Sequence, residues 1–153
     1  MPELHGAGAI CYVKDGRETL FLLLRSAKHG GWGPPKGHAQ EYETEIETAT
    51  RELFEEAGLR HREFDPSFRE SITYTVEKKG KFYVKEVVYF LCPVHRDEVR
   101  LSDEHTELHW ATMDEIEVLI PHENLRAVFR KALGHTKSRG TRISQAGNDI
   151  HSL

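Results

Sequence analysis

The chain has 153 residues, with 21 Lys and Arg against 25 Asp and Glu, for a net charge of −4. That length fits one domain with a substantial core, and the charge excludes a global basic field that would recruit nucleic acid or an anionic membrane. The longest apolar run, Leu20 to Leu24, is too short to span a bilayer, and the start M-P-E-L-H-G has no leader pattern, so the expected location is cytoplasmic, with no membrane partner.

In chain order, His5 to Val13 predicts a strand in which Gly6, Ala7, Gly8 and Ala9 allow another element to come close. Asp15-Gly16 is a hairpin signal, and the unbroken apolar run within Thr19 to Arg25 predicts a strand buried on both faces. Ser26 to Pro35 reads as a loop anchored by Trp32; it lacks the spacing of a P-loop. A helix is expected from about Glu43 to Ala57, ended by Gly58. Ile46, Ala49, Leu53 and Ala57 form its core-facing stripe. Glu70 to Glu77 and Lys81 to Pro93 read as hairpin strands, and Glu98 to Leu101 and Glu107 to Ala111 as shorter ones. Thr112 caps a helix opening at Met113, and Glu123 to Leu133 forms another that Gly134 stops. Cys11 and Cys92 lie in apolar strands and read as buried, reduced thiols. Residues 1–134 are thus one domain, and 135–153 are a polar tail with the composition of a flexible segment. The order of elements predicts an α+β fold with a mixed β-sheet between helices.

The chemistry gathers on the first helix. Glu52, Glu55 and Glu56 stand at i, i+3 and i+4, on one face, with Glu45 two turns earlier on the same side. Such a face is either a solvated acidic surface or a site for a hard divalent cation, which takes carboxylate oxygens and leaves positions open for phosphate.

The string from Gly37 to Leu59 decides between these, because it carries Gly37, Glu43, Arg51, Glu52, Leu53, Glu55, Glu56, Gly58 and Leu59 in the spacing of the Nudix box. The chain therefore resembles a Nudix hydrolase, which implies an α/β/α sandwich and Mg²⁺- or Mn²⁺-dependent hydrolysis of a pyrophosphate bond. The resemblance implies Glu52, Glu55, Glu56 and the Lys36 carbonyl as metal ligands, and an architectural role for Gly37, Gly58 and a Glu43–Arg51 pair. Glu52, Glu56 and Glu104 are the implied catalytic carboxylates, with Glu52 or Glu104 as general base. Outside the box, F-L-L-L-R, W-G-P-P-K-G-H and L-S-D-E-H followed by Trp110 are similar to asymmetrical diadenosine tetraphosphate hydrolases. That similarity implies substrate contacts from Lys36, His38, Lys85, Tyr74 and His122. His122 stands where those enzymes place an adenine-clamping aromatic, and Gly30-Gly31 where they often have two histidines. Related bacterial enzymes act on the 5′-triphosphate end of RNA, for which Arg126, Arg130 and Lys131 offer basic contacts. The expected partner is a nucleotide polyphosphate or an RNA 5′ end, with a homodimer also open. The rival readings are a nucleotide-pool-cleansing nucleoside triphosphate pyrophosphohydrolase and a non-catalytic binding module of the same fold.

Overall fold

The computed structural model describes residues 3–60 and 63–151, with side chains described as far as Lys137. The strands are β1 (Glu3–Asp15), β2 (Glu18–Ser26), β3 (Trp32–Gly33), β4 (Lys36–His38), β5 (Arg69–Lys78), β6 (Lys81–Pro93) and β7 (His105–Ala111). The helices are α1 (Glu45–Ala57), α2 (Met113–Leu119) and α3 (Glu123–His151). The strands form one sheet in the order β3-β2-β1-β6-β5, with β4 on β1 and β7 on β2. Among the described residues, only β1 and β6 pair in parallel and every other pairing is antiparallel, so the sheet is mixed.

Strand alternation builds a core on each face. Ala9, Cys11, Leu20, Leu22 and Leu24 meet Leu53 and Ala57 of α1. The intervening Ile10, Phe21 and Leu23, with Tyr89 and Leu91, meet Ile116 of α2 and Leu125, Phe129 and Ala132 of α3. Both faces of β2 are therefore covered, which explains its continuous apolar run. The result is a helix–sheet–helix sandwich. Cys11 and Cys92 are register neighbours on β1 and β6, and both are buried. The β5–β6 turn has positive φ at Lys79 (51°) and Gly80 (76°), a two-residue geometry that suits strand twist. No helix among the described residues is long and apolar enough to cross a membrane.

Four local expectations need correction. Glu98 to Leu101 is not a strand: Arg96–Glu98 forms a 3₁₀ turn, and pairing resumes only at His105. The expected loop of residues 26–35 contains the short strand β3. Ile46 is 45% exposed, although Ala49, Leu53 and Ala57 are buried as their stripe requires. Gly134 does not stop α3, which runs on to His151. A helical glycine costs about 1 kcal/mol relative to Ala. Contacts beyond it offset that cost. His135 Nε2 lies 2.8 Å from Asp65 Oδ2 and 3.0 Å from Ser67 Oγ. Thr136 is buried, its hydroxyl 3.3 Å from that of Thr19 while it donates to the Leu133 carbonyl at 2.8 Å.

Candidate active site

The site begins where β4 meets α1. Gly6 and Gly8 of β1 pair with His38 and Lys36, and a Cβ on Gly6 would come within 2.7 Å of the Gly37 carbonyl oxygen. A Cβ on Gly37 would collide with the Glu52 carboxylate, so glycine at both positions lets strand and helix touch. Thr44, not Glu43, opens the helix. Its side chain accepts from Glu47 N–H at 3.1 Å, and the Glu47 carboxylate accepts from Thr44 N–H at 3.0 Å.

Glu43 stays outside the helix because Arg51 holds it. Arg51 donates to Glu43 through Nε at 2.7 Å and Nη2 at 3.0 Å, and to the His38 carbonyl at 2.8 Å. The Arg51 hydrogen bonds pull the Glu43 carboxyl down to about 2. Arg51 Nη1 also donates to Glu52 at 2.7 Å and Glu55 at 3.1 Å. One guanidinium thus joins β4, the loop and the acidic face of α1. Glu45, expected on that face, instead pairs with Arg69 at 2.6 Å.

Glu56 accepts from Lys36 N–H at 2.7 Å, and its other oxygen lies 3.8 Å from His105 Nε2. Burial, reinforced by the charges of Glu52 and Glu104, pushes the Glu56 carboxyl up to about 7. Glu52 is raised by burial too, with the Glu55 and Glu104 charges adding to it and the Arg51 hydrogen bond opposing it. Glu104 sits just before β7, and its carbonyl accepts from Ala27 N–H at 2.9 Å, which joins its loop to the one after β2.

A cavity of about 930 Å³ opens beside these groups. Lys36, Glu56, Glu104 and His105 supply its charged and polar lining, and Trp32, Tyr74, Tyr89 and the exposed His122 its aromatic lining. Lys85 stands directly across from Tyr74, its Nζ 5.8 Å from the ring centre. Burial, then the charges of Lys36 and Lys78, bring Lys85 down to about 8.

Of the residues singled out from sequence, Lys36, Glu56, Tyr74, Glu104 and His122 share this cavity. Glu52, which is buried, and Glu55, which is exposed, are not part of its lining. His38 does not join them: it lines a separate cavity of about 610 Å³ with His5, Glu43 and Glu45. Its ring is held below the ordinary histidine value by burial and the charges of Lys85, Lys78 and Lys36. Arg126 and Arg130 are tied to Glu117 and Glu123, and Lys131 to Glu70, so their charges are already matched. Tyr89, His105 and Asn124 also line the large cavity and escaped the sequence reading. The period of two in β6 carries the signal for Tyr89, which shares a face with Lys85.

Among the described residues, no three His, Cys, Asp or Glu side chains already form a metal-ligating group. The donor chemistry nevertheless suits a hard cation: Glu52 and Glu56 are crowded, partly desolvated carboxylates whose proton affinity is raised. Arg51 Nη1 meets both Glu52 and Glu55, at 2.7 and 3.1 Å, so a cation taking those two oxygens would compete with it.

The NUDIX domain model matches residues 4–133. The rat bis(5′-nucleosyl)-tetraphosphatase [asymmetrical] is 36% identical over 128 residues, covering 80% of this chain and 83% of that protein. The mRNA-decapping protein g5R of African swine fever virus is 27% identical over 130 residues, covering 74% of this chain and 51% of that protein. The crystal structure of a Caenorhabditis elegans Ap4A hydrolase binary complex superposes with a TM-score of 0.80 at 29% identity, covering 88% of this chain and 98% of that one. The chain belongs to the Nudix family and is a hydrolase of pyrophosphate bonds.

Proposed function

We propose that this enzyme splits bis(5′-nucleosyl) tetraphosphates asymmetrically with a divalent cation, Mg²⁺ or Mn²⁺. The observation that carries this reading is the 930 Å³ cavity in which Lys36, Glu56 and Glu104 meet the Trp32–Tyr74–Tyr89 wall. That volume is near the upper end for small-molecule sites, room for more than a single nucleotide. The names of the rat and nematode relatives point the same way.

Glu52, Glu55, Glu56 and the Lys36 carbonyl would hold the cation. When bound, it neutralises phosphate charge and acidifies a water. Lys36 and Lys85 contact the phosphate chain, and Tyr74 and His122 flank a base. Glu104, which has no ion-pair partner among the described residues, takes the proton of the attacking water. Glu52 is less suited to that step because Arg51 occupies one of its oxygens at 2.7 Å. Water oxygen joins phosphorus, one phosphoanhydride P–O bond breaks, and the products are ATP and AMP. His38 contributes through its backbone, as a Gly6 partner and Arg51 acceptor.

A second substrate, the 5′-triphosphate end of RNA, is favoured by Lys85, Lys81 and Lys78 on the hairpin that carries Tyr74, none of which has an ion pair among the described residues. The test is a Mg²⁺ competition assay among diadenosine tetraphosphate, 5′-triphosphorylated RNA and a deoxynucleoside triphosphate, with products resolved by chromatography. The expected outcome is ATP plus AMP from the dinucleotide at the highest kcat/KM. Preferential turnover of the deoxynucleoside triphosphate would overturn the reading in favour of nucleotide-pool cleansing. Glu56→Gln should lower kcat by roughly a hundredfold or more with folding intact; survival of turnover would favour a site elsewhere.

A further inference from the structure

The β5–β6 hairpin sorts its charges by face. Register places Tyr74 opposite Lys85, Val76 opposite Tyr83, and Lys78 opposite Lys81. These three pairs share a face, because side chains alternate along each strand. The intervening pairs, Thr73 with Glu86, Thr75 with Val84, and Glu77 with Phe82, point the other way. The first face therefore carries lysine and tyrosine without a carboxylate, and both glutamates of the stretch lie on the second. Tyr74 lines the large cavity, so the lysine–tyrosine face runs outward from the reaction site to the hairpin tip, where Lys78 also borders the 610 Å³ cavity beside Glu86.

Two further observations set this surface apart. Among the described residues β1 pairs with β6 only from Val84 onward, so the segment from Lys78 to Tyr83 has no β1 partner among them. Lys36, Lys78, Lys81 and Lys85 have no ion pair among the described residues, in contrast to Arg126, Arg130 and Lys131. In a protein of net charge −4, these four lysines lie on β4 and on the hairpin that leads away from the cavity. Cations alternating with tyrosine rings suit a single strand, with phosphates on the lysines and bases on the rings.

We propose that the face formed by the Tyr74–Lys85, Val76–Tyr83 and Lys78–Lys81 pairs is a track for single-stranded RNA, holding the first nucleotides of a strand whose 5′-polyphosphate occupies the cavity. The track rests on the RNA-end reading above, and it replaces the α3 basic residues as the route of the strand.

The test uses the full chain with Lys78→Ala/Lys81→Ala and Tyr83→Ala, substitutions at exposed or half-buried positions of the hairpin. Binding of a 3′-labelled 5′-hydroxyl RNA of about eight nucleotides, read by fluorescence anisotropy across salt concentrations, needs no catalysis. Loss of two phosphate contacts should lower the salt slope by about 1.4, at about 0.7 per single-strand phosphate. Loss of the ring should weaken binding by roughly tenfold. In parallel, kcat/KM on 5′-triphosphorylated RNA should rise with length for the wild type and lose that dependence in both variants, while diadenosine tetraphosphate turnover stays unchanged. Variants that bind RNA like the wild type would overturn the track, as would length-independent RNA hydrolysis, which leaves the RNA-end reading standing. An unaffected Tyr83→Ala, with heparin competing as well as RNA, would overturn it in favour of a plain charge patch. RNA bound through the hairpin but never hydrolysed would support the track and sink the RNA-end reading.

Discussion

Glu56 shows how burial sets the chemistry of single side chains here. Its carboxyl is raised from 4.5 to about 7, chiefly by desolvation. A raised carboxyl binds its proton more tightly in the folded chain than in the unfolded one. Its stabilising effect is therefore complete below the unfolded value of 4.5 and is lost as pH rises to about 7. With metal removed by chelator, the melting temperature should fall as pH increases through that window, by the equivalent of roughly 3 kcal/mol. Glu56→Gln should flatten the fall, and added Mg²⁺ or Mn²⁺ should raise the melting temperature most at the alkaline end. A profile that neither falls nor responds to metal would contradict the cation assignment. The three glutamates were legible as a helical face. Their unequal surroundings were not: Glu52 is buried, Glu55 exposed, and Glu56 held by Lys36 N–H.

At the scale of the element, α1 is placed by its two ends. The Thr44–Glu47 capping box sets its start and Gly58, at φ 70°, its finish. Thr44→Ala should cost about 1 kcal/mol with kcat little changed. Arg51→Ala should cost roughly 3 kcal/mol, because Glu43 would lose the guanidinium that holds it, and should also lower kcat by releasing β4 from the helix. Urea melts and single-turnover assays of both variants would separate the two; equal losses would show that Arg51 is no more than a cap. The apolar stripe was readable from period, yet Ile46 on that stripe is exposed. The first turn stands over the 610 Å³ cavity lined by Glu45 and Thr48. Periodicity reports the direction of a side chain, and not where the sheet beneath it ends.

For the whole molecule, the parallel β1–β6 pairing brings the box and the β5–β6 hairpin together, and α3 covers the sheet face opposite α1. The C-terminal boundary is testable. Ending the chain after Leu133 removes the His135–Asp65 and Thr136–Thr19 contacts, and should lower stability by about 1–3 kcal/mol. Ending it after Lys137 should leave the calorimetric melting temperature nearly unchanged. Equal melting temperatures would return the boundary to Gly134.

The sequence by itself determined the types of the longer elements, the hairpins, the capping at Thr112 and the family, since each depends on residues near one another in the chain. Only the tertiary structure decided which side chains share a cavity. Lys36, Tyr74, Glu104 and His122 come from four separate segments, and nothing in their spacing brings them together. It also decided which charges are matched. Arg126 and Arg130 read as free cations until α2 supplies Glu117, whereas the hairpin lysines remain unpaired. Gly134 reads as a stop until Asp65 and Thr19 hold the next turn. In each case the deciding partner lies far along the chain, and only packing brings it within reach.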